Sequence, residues 1–169
     1  AFEYVMDHYY PSGLEEMASR KDSYAVISIQ DTNNGGFGFE FRENRFCQAV
    51  LTLYFDDVVR EVDGAICFNE EMARKIIRFL HENRKADTLL IHCYGGESRS
   101  RAVAAFAVEM LGSDNKEYFA TGNPNMLVYD TLKKVWENKI VGSGSPKFDR
   151  VKNLKDEDYK LPEEWLSVV

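Results

Sequence analysis

The 169-residue sequence is poor in cysteine and proline, with three and four of them, and it has little positive charge. Cys47, Cys67 and Cys93 are too few, and odd in number, for a disulfide framework. No two of them stand at the CxxC spacing that zinc sites use, so no metal centre is expected. Such sparse cysteine usage makes a reducing cytoplasm the expected setting. Lysine and arginine number 21 against 28 aspartates and glutamates, a formal net charge of −7. That balance speaks against a general binder of nucleic acid or of anionic membranes, since both would repel the chain at long range. A small cationic pocket inside an acidic surface is still compatible with it. No apolar run approaches the roughly 18 residues of a membrane helix. The opening AFEYVMDHYY has neither a basic stretch nor an apolar one, so no signal peptide is expected within it. Repeats and low-complexity tracts are also missing.

What is present is ordinary globular composition, 44% hydrophobic and 29% charged, enough to bury a core without staples. Three segments read as strands buried on both faces: Tyr24 to Ile29, Ala49 to Phe55 and Thr88 to His92, each β-branched or aromatic. Amphipathic stretches lie between and after them. Leu14 to Arg20 reads as a short helix. Asn69 to Asn83 reads as a longer one, with Asn69 as cap, acids in the first turn, and Met72, Ile76, Phe79 and Leu80 on one face. Ser100 to Leu111 is apolar almost all round and belongs in the middle of a domain. Asn125 to Asn138 offers Leu127, Leu132, Val135 and Trp136 to a core. Asn33 to Gly38 reads as a turn, lacking the context of a dinucleotide fingerprint. The alternation predicts one α/β domain, a central mostly parallel sheet flanked by helices. Residues 1–141 would form that domain. Residues 142–169 would be a linker (Gly142 to Ser145) and a tail docked on it, with Pro162 opening a short helix.

Chemistry concentrates in Leu89 to Phe106. A buried strand ends at His92, Cys93 stands at its tip, and a seven-residue loop closes at Arg99 before a helix begins. Loop amides and the helix N-terminus converge there into an anion cradle. Gly95 and Gly96 permit its tight path, and Arg99 supplies a planar fork for two phosphate oxygens. A cysteine on the floor of such a cradle is favoured as the thiolate, the nucleophilic form. Attack on a bound phosphoester would give a phosphocysteine.

His92-Cys93-Tyr94-Gly95-Gly96-Glu97-Ser98-Arg99-Ser100 resembles the HCxxGxxRS signature of the cysteine-dependent protein tyrosine phosphatase superfamily. The small size is most similar to the compact dual-specificity-like branch, including bacterial predicted tyrosine phosphatases. YVMDHYYPSGLEEM, followed by YAVISI, is similar to the opening of compact members, and VLTLYFDDV to the strand before the general-acid loop. The resemblance covers residues 4–138 and leaves the tail without a counterpart. It implies a phosphotyrosine protein phosphatase II-like fold and hydrolysis of phosphomonoesters without metal or cofactor. Cys93 would be the nucleophile and Arg99 the phosphate clamp. Ser100 would bond the sulfur, and His92 would order the loop. The amides of Tyr94, Gly95, Gly96, Glu97, Ser98 and Arg99 would hold the non-bridging oxygens.

In the family, an aspartate some thirty to forty residues before the cysteine donates the proton. Asp57 lies 36 before Cys93, with Asp56 adjacent and Asp63 30 before, so spacing leaves all three open. Alignment at the strand end favours Asp57. Glu97 departs from members that take polyanionic inositol lipids, whose loops are basic, and favours a phosphorylated protein or a small phosphomonoester as substrate. A phosphate-binding pseudophosphatase, an inositol phosphate phosphatase and a rhodanese-type or arsenate-reducing enzyme are the competing readings. Cys47 and Cys67 read as buried hydrophobes, His8 and His81 as bystanders, and Tyr9, Tyr10 and Phe55 as core. Glu61–Asp63 and Asp156–Asp158 read as solvated faces.

Overall fold

A computed structural model describes residues 21–32, 40–142 and 166–168, together with Tyr9. Leu14 to Arg20, Asn33 to Gly38, the linker after Gly142 and Asp156–Asp158 therefore lie outside the described residues, as do His8 and Tyr10. Three strands, β1 (Tyr24–Gln30), β2 (Cys47–Tyr54) and β3 (Thr88–His92), and a short fourth, β4 (Leu166–Val168), form one sheet in the order β2-β1-β3-β4. Every pairing in it is parallel. Among the described residues four helices accompany them: α1 (Glu70–Glu82), α2 (Arg99–Met110), α3 (Lys116–Ala120) and α4 (Met126–Gly142). The α/β architecture with a parallel sheet flanked by helices is as expected.

β1 is buried along its whole length and β3 at every residue but the first. Strand alternation explains why. Ala25, Ile27, Ile29, Leu89 and Ile91 pack into one cluster with α1, α2 and α4. Tyr24, Val26 and Leu90 join a second cluster with Tyr9, Phe41 and Cys47. β2 departs from the expectation of two covered faces. Among the described residues it is an edge strand, its residues mostly half-exposed, with β1 as its sole neighbour in the sheet.

The helices follow local chemistry closely. Asn69 caps α1 by accepting from the Met72 amide at 3.0 Å, and Glu70 and Glu71 complement the positive end of the helix dipole. Ala73, Ile76, Ile77, Phe79 and Leu80 are its buried face. α2 is interior on nearly every side, with Ala102 to Ala107 buried. Its alanines let it sit close to β3 and α4. α4 puts Val128, Leu132 and Val135 in the core, whereas Leu127 is half-buried. The helix also runs past Asn138 to Gly142. In the tail, Leu166–Val168 is a strand paired with β3, while Pro162 and the helix expected to start there lie outside the described residues. Three residues of extended chain fit beside the exposed edge of β3, where backbone pairing outweighs local helix preference.

Parallel strands put all their C-terminal ends on one edge. Asp31, Phe55 to Asp57 and Cys93 follow β1, β2 and β3 there, the usual place for a site in an open α/β sheet.

Candidate active site

Cys93 is at the floor of this edge and only 2% exposed. Its sulfur accepts from the Gly96 amide at 3.2 Å and lies 3.1 Å from Ser100 Oγ. The sulfur thus sits between a loop amide that donates to it and a hydroxyl with which it shares a hydrogen bond that either atom can donate. The loop turns at Gly96, whose φ of +79° is a left-handed conformation that favours glycine. Gly95 has no such need: its φ is ordinary and an added Cβ would meet nothing within 4 Å. Tyr94 is exposed at the rim, and so is Glu97. The carbonyls of Glu97 and Ser98 accept from the amides of Asn123 and Asn125 at 3.2 and 3.1 Å. Those two bonds fasten the loop to the segment before α4.

Arg99 opens α2 and folds back beneath the loop, 4% exposed. Its Nη1 donates to the Phe55 carbonyl at 2.8 Å and pairs with Asp31. Its Nε is buried with no protein partner. A guanidinium anchored on one side and unsatisfied on the other is set to receive an anion, because burying an unpaired donor is costly.

Asp57 is exposed at the end of the segment after β2, and its Oδ1 accepts from Ser98 Oγ at 2.7 Å and from Asn125 Nδ2 at 2.8 Å. Two donors on Oδ1 direct any carboxyl proton to Oδ2. Asn125 Nδ2 also donates to the Val58 carbonyl, and its Oδ1 caps α4 at the Val128 amide. Asp56 is committed elsewhere. Thr32 Oγ1 and the Thr32 and Ile66 amides all donate to its carboxylate. These bonds, that from the Thr32 hydroxyl first, hold the Asp56 carboxyl below the usual range, which makes it a poor proton donor. Asp63 is exposed in a turn beside Gly64.

His92 is fully buried on the opposite face of β3 from Cys93, its ring 5.5 Å from that of Phe41. Register pairs it with Ser28 on β1, and Nε2 lies 2.6 Å from Ser28 Oγ. Gln30 Nε2 donates to that hydroxyl at 2.9 Å, leaving the Ser28 proton for His92 Nε2. Nδ1–H then faces the Cys93 carbonyl at 3.4 Å. Burial lowers the His92 pKa from 6.5 to about 4, so the ring is neutral at neutral pH.

We compared the chain with protein-family models, with curated proteins and with solved structures. None matched. The site therefore stands on its geometry, which brings together Cys93, Arg99, Ser100, Asp57 and the loop from Tyr94 to Ser98, with His92 behind them. Among the described residues no cluster of His, Cys, Asp or Glu is placed to hold a metal ion, and no helix is long and apolar enough to cross a membrane. Cys47 is buried as expected, whereas Cys67 is half-buried and its thiol faces the Arg60 carbonyl at 3.4 Å. Sequence reasoning missed Asp31, Ser28 and Asn125. Asp31 had one usable signal, its place directly after a buried strand at the edge that carries Cys93. Asn125 was read as the first residue of a helix, and nothing local linked it to Asp57.

Proposed function

We propose that this chain is a phosphomonoester hydrolase of the protein-tyrosine or dual-specificity type, working through a cysteinyl-phosphate with a phosphotyrosine protein phosphatase II-like fold. The observation that carries the reading is the pairing of a sulfur held by Gly96 N–H and Ser100 Oγ with the unsatisfied Nε of Arg99. A phosphoryl group seated over Cys93 would complete both.

In the first step the Cys93 thiolate attacks phosphorus, an S–P bond forms and the P–O bond to the leaving group breaks. The Oδ2 proton of Asp57 passes to the departing oxygen. Amides of the loop and Arg99 take up the charge that develops on the non-bridging oxygens. In the second step the Asp57 carboxylate removes a proton from water as that water attacks phosphorus. The S–P bond breaks, inorganic phosphate leaves, and Ser100 Oγ–H donates to the returning thiolate. His92, neutral and tied to Ser28, orders the strand end without touching substrate.

Arg99 is the sole cation between Cys93 and Ser100, and Glu97 is exposed beside it. This favours a singly phosphorylated protein side chain over an inositol polyphosphate. A thiol nucleophile also fits a reducing compartment, for which the cytoplasm is the natural setting. The deciding test is turnover of p-nitrophenyl phosphate, with phosphate trapped on Cys93 in a rapidly quenched sample. Cys93→Ser should show no turnover and still bind vanadate. Full turnover by that variant would end the covalent mechanism.

A further inference from the structure

Arg101 lies one helical step beyond the catalytic loop and takes no part in the chemistry above. Its side chain leaves α2 towards the turn after α3. There Nη1 donates to Thr121 Oγ1 at 3.0 Å, and that hydroxyl in turn donates to the Glu117 carbonyl at 3.1 Å. Arg101 then passes close to Gly122. A Cβ built on Gly122 would come within 2.6 Å of Arg101 Nε and 2.8 Å of its Cδ. Gly122 also has φ +83°, so a side chain there would be strained and would have to displace the Arg101 side chain. The Nε of Arg101 is buried with no partner, so close contact with this turn, rather than a second hydrogen bond, fixes the guanidinium.

The residues immediately after Gly122 hold the site together. The Asn123 and Asn125 amides donate to the Glu97 and Ser98 carbonyls, at 3.2 and 3.1 Å, and Asn125 Nδ2 donates to Asp57 Oδ1 at 2.8 Å. We propose that Arg101, seated on Gly122, is a positioning residue that sets this segment and through Asn125 aims Asp57 at the leaving group. Arg101 and Arg99 belong to the same first turn of α2. The helix that carries the phosphate clamp thereby also fixes the distance from clamp to proton donor.

This inference rests on the phosphatase reading, and its test separates the two. Arg101→Met, Arg101→Lys and Gly122→Ala are compared with the wild type on phenyl phosphate and on 2,4-dinitrophenyl phosphate, whose leaving group needs no proton. Arg101→Met and Gly122→Ala should lower kcat/KM on phenyl phosphate, which reports the first step alone, about tenfold, a fraction of the full worth of a general acid. On the dinitrophenyl ester they should leave kcat/KM within about twofold. Arg101→Lys, which keeps a donor for Thr121, should recover most of the loss. Exchange of the Asn123 and Asn125 amides should speed up in Arg101→Met while that of the β1 amides does not change. An equal fall on both esters, or unchanged exchange at Asn123 and Asn125, overturns the proposal. A wild type inactive on both esters overturns the phosphatase reading instead, and amide exchange still decides whether Arg101 holds the turn.

Discussion

Acidification should weaken this fold through one side chain, His92. It is fully buried, and its pKa falls from 6.5 to about 4 because burial penalises the charged ring more than the bond to the Cys93 carbonyl favours it. Above pH 6.5 the ring is neutral whether the chain is folded or not, and its contribution is fully present. Between 6.5 and 4 the unfolded chain binds a proton that the folded chain refuses, so stability drops as pH falls through this window. One pH unit of such a mismatch is worth about 1.4 kcal/mol, so the whole window removes about 3 kcal/mol. Protonation would also make both ring nitrogens donors and end the Ser28 O–H bond to Nε2. The assay is urea unfolding at a series of pH values from 7.5 to 4.5, on wild type and on His92→Gln, which keeps an amide near Ser28 and cannot titrate. The variant's own cost at pH 7.5 cancels when only the change with pH is compared. By pH 5 the wild type should have lost about 2 kcal/mol more than the variant. Parallel losses in the two proteins, or a His92 ring that titrates near 6.5 by NMR, would refute the reasoning.

Other outcomes follow from the same geometry. Asp57→Asn should cut turnover of phenyl phosphate by about 10²–10⁴-fold, the usual worth of a general acid, in steady-state assays. Asp56→Asn should instead act on stability, since Asp56 ties Thr32 to Ile66; a larger kinetic loss there than at Asp57 would reverse the assignment. Asp31→Ala leaves the Arg99 guanidinium buried without its carboxylate, so urea unfolding should register a loss of about 3 kcal/mol. Vanadate inhibition of that variant should weaken as well, because Arg99 is no longer fixed. Asn69→Ala removes the α1 cap and should cost about 1 kcal/mol with turnover unchanged.

The parts that were legible in the sequence are those whose determinants are contiguous. His92 to Ser100 lies in one stretch, and its strand, loop and helix are each specified by their own residues. Asn69 and the acids after it mark the start of α1 in the same way. The choice among Asp56, Asp57 and Asp63 needed Thr32, which disqualifies Asp56, and Ser98 with Asn125, which engage Asp57; both sets come from distant positions. Ser28 faces His92 solely because β1 and β3 are parallel and in register, which a strand pattern does not state. β2 has the apolar composition of an interior strand, and its edge position depends on strand order. The strand in the tail was hidden for a related reason: the free side of β3 decides what Leu166–Val168 becomes.

β4 bears on how the molecule comes together in time. Leu89 with Leu166 and Ile91 with Val168 join segments separated by the whole of α2, α3 and α4. Such distant parallel pairing is slow, because the loop must close before any contact rewards it. The strand that leads into Cys93 therefore spends the early life of each chain with one flank uncovered, open to pairing with another copy. Ribosomal synthesis delivers the residues that close this flank after all of β1 to α4, so the nucleophile's own strand is enclosed late.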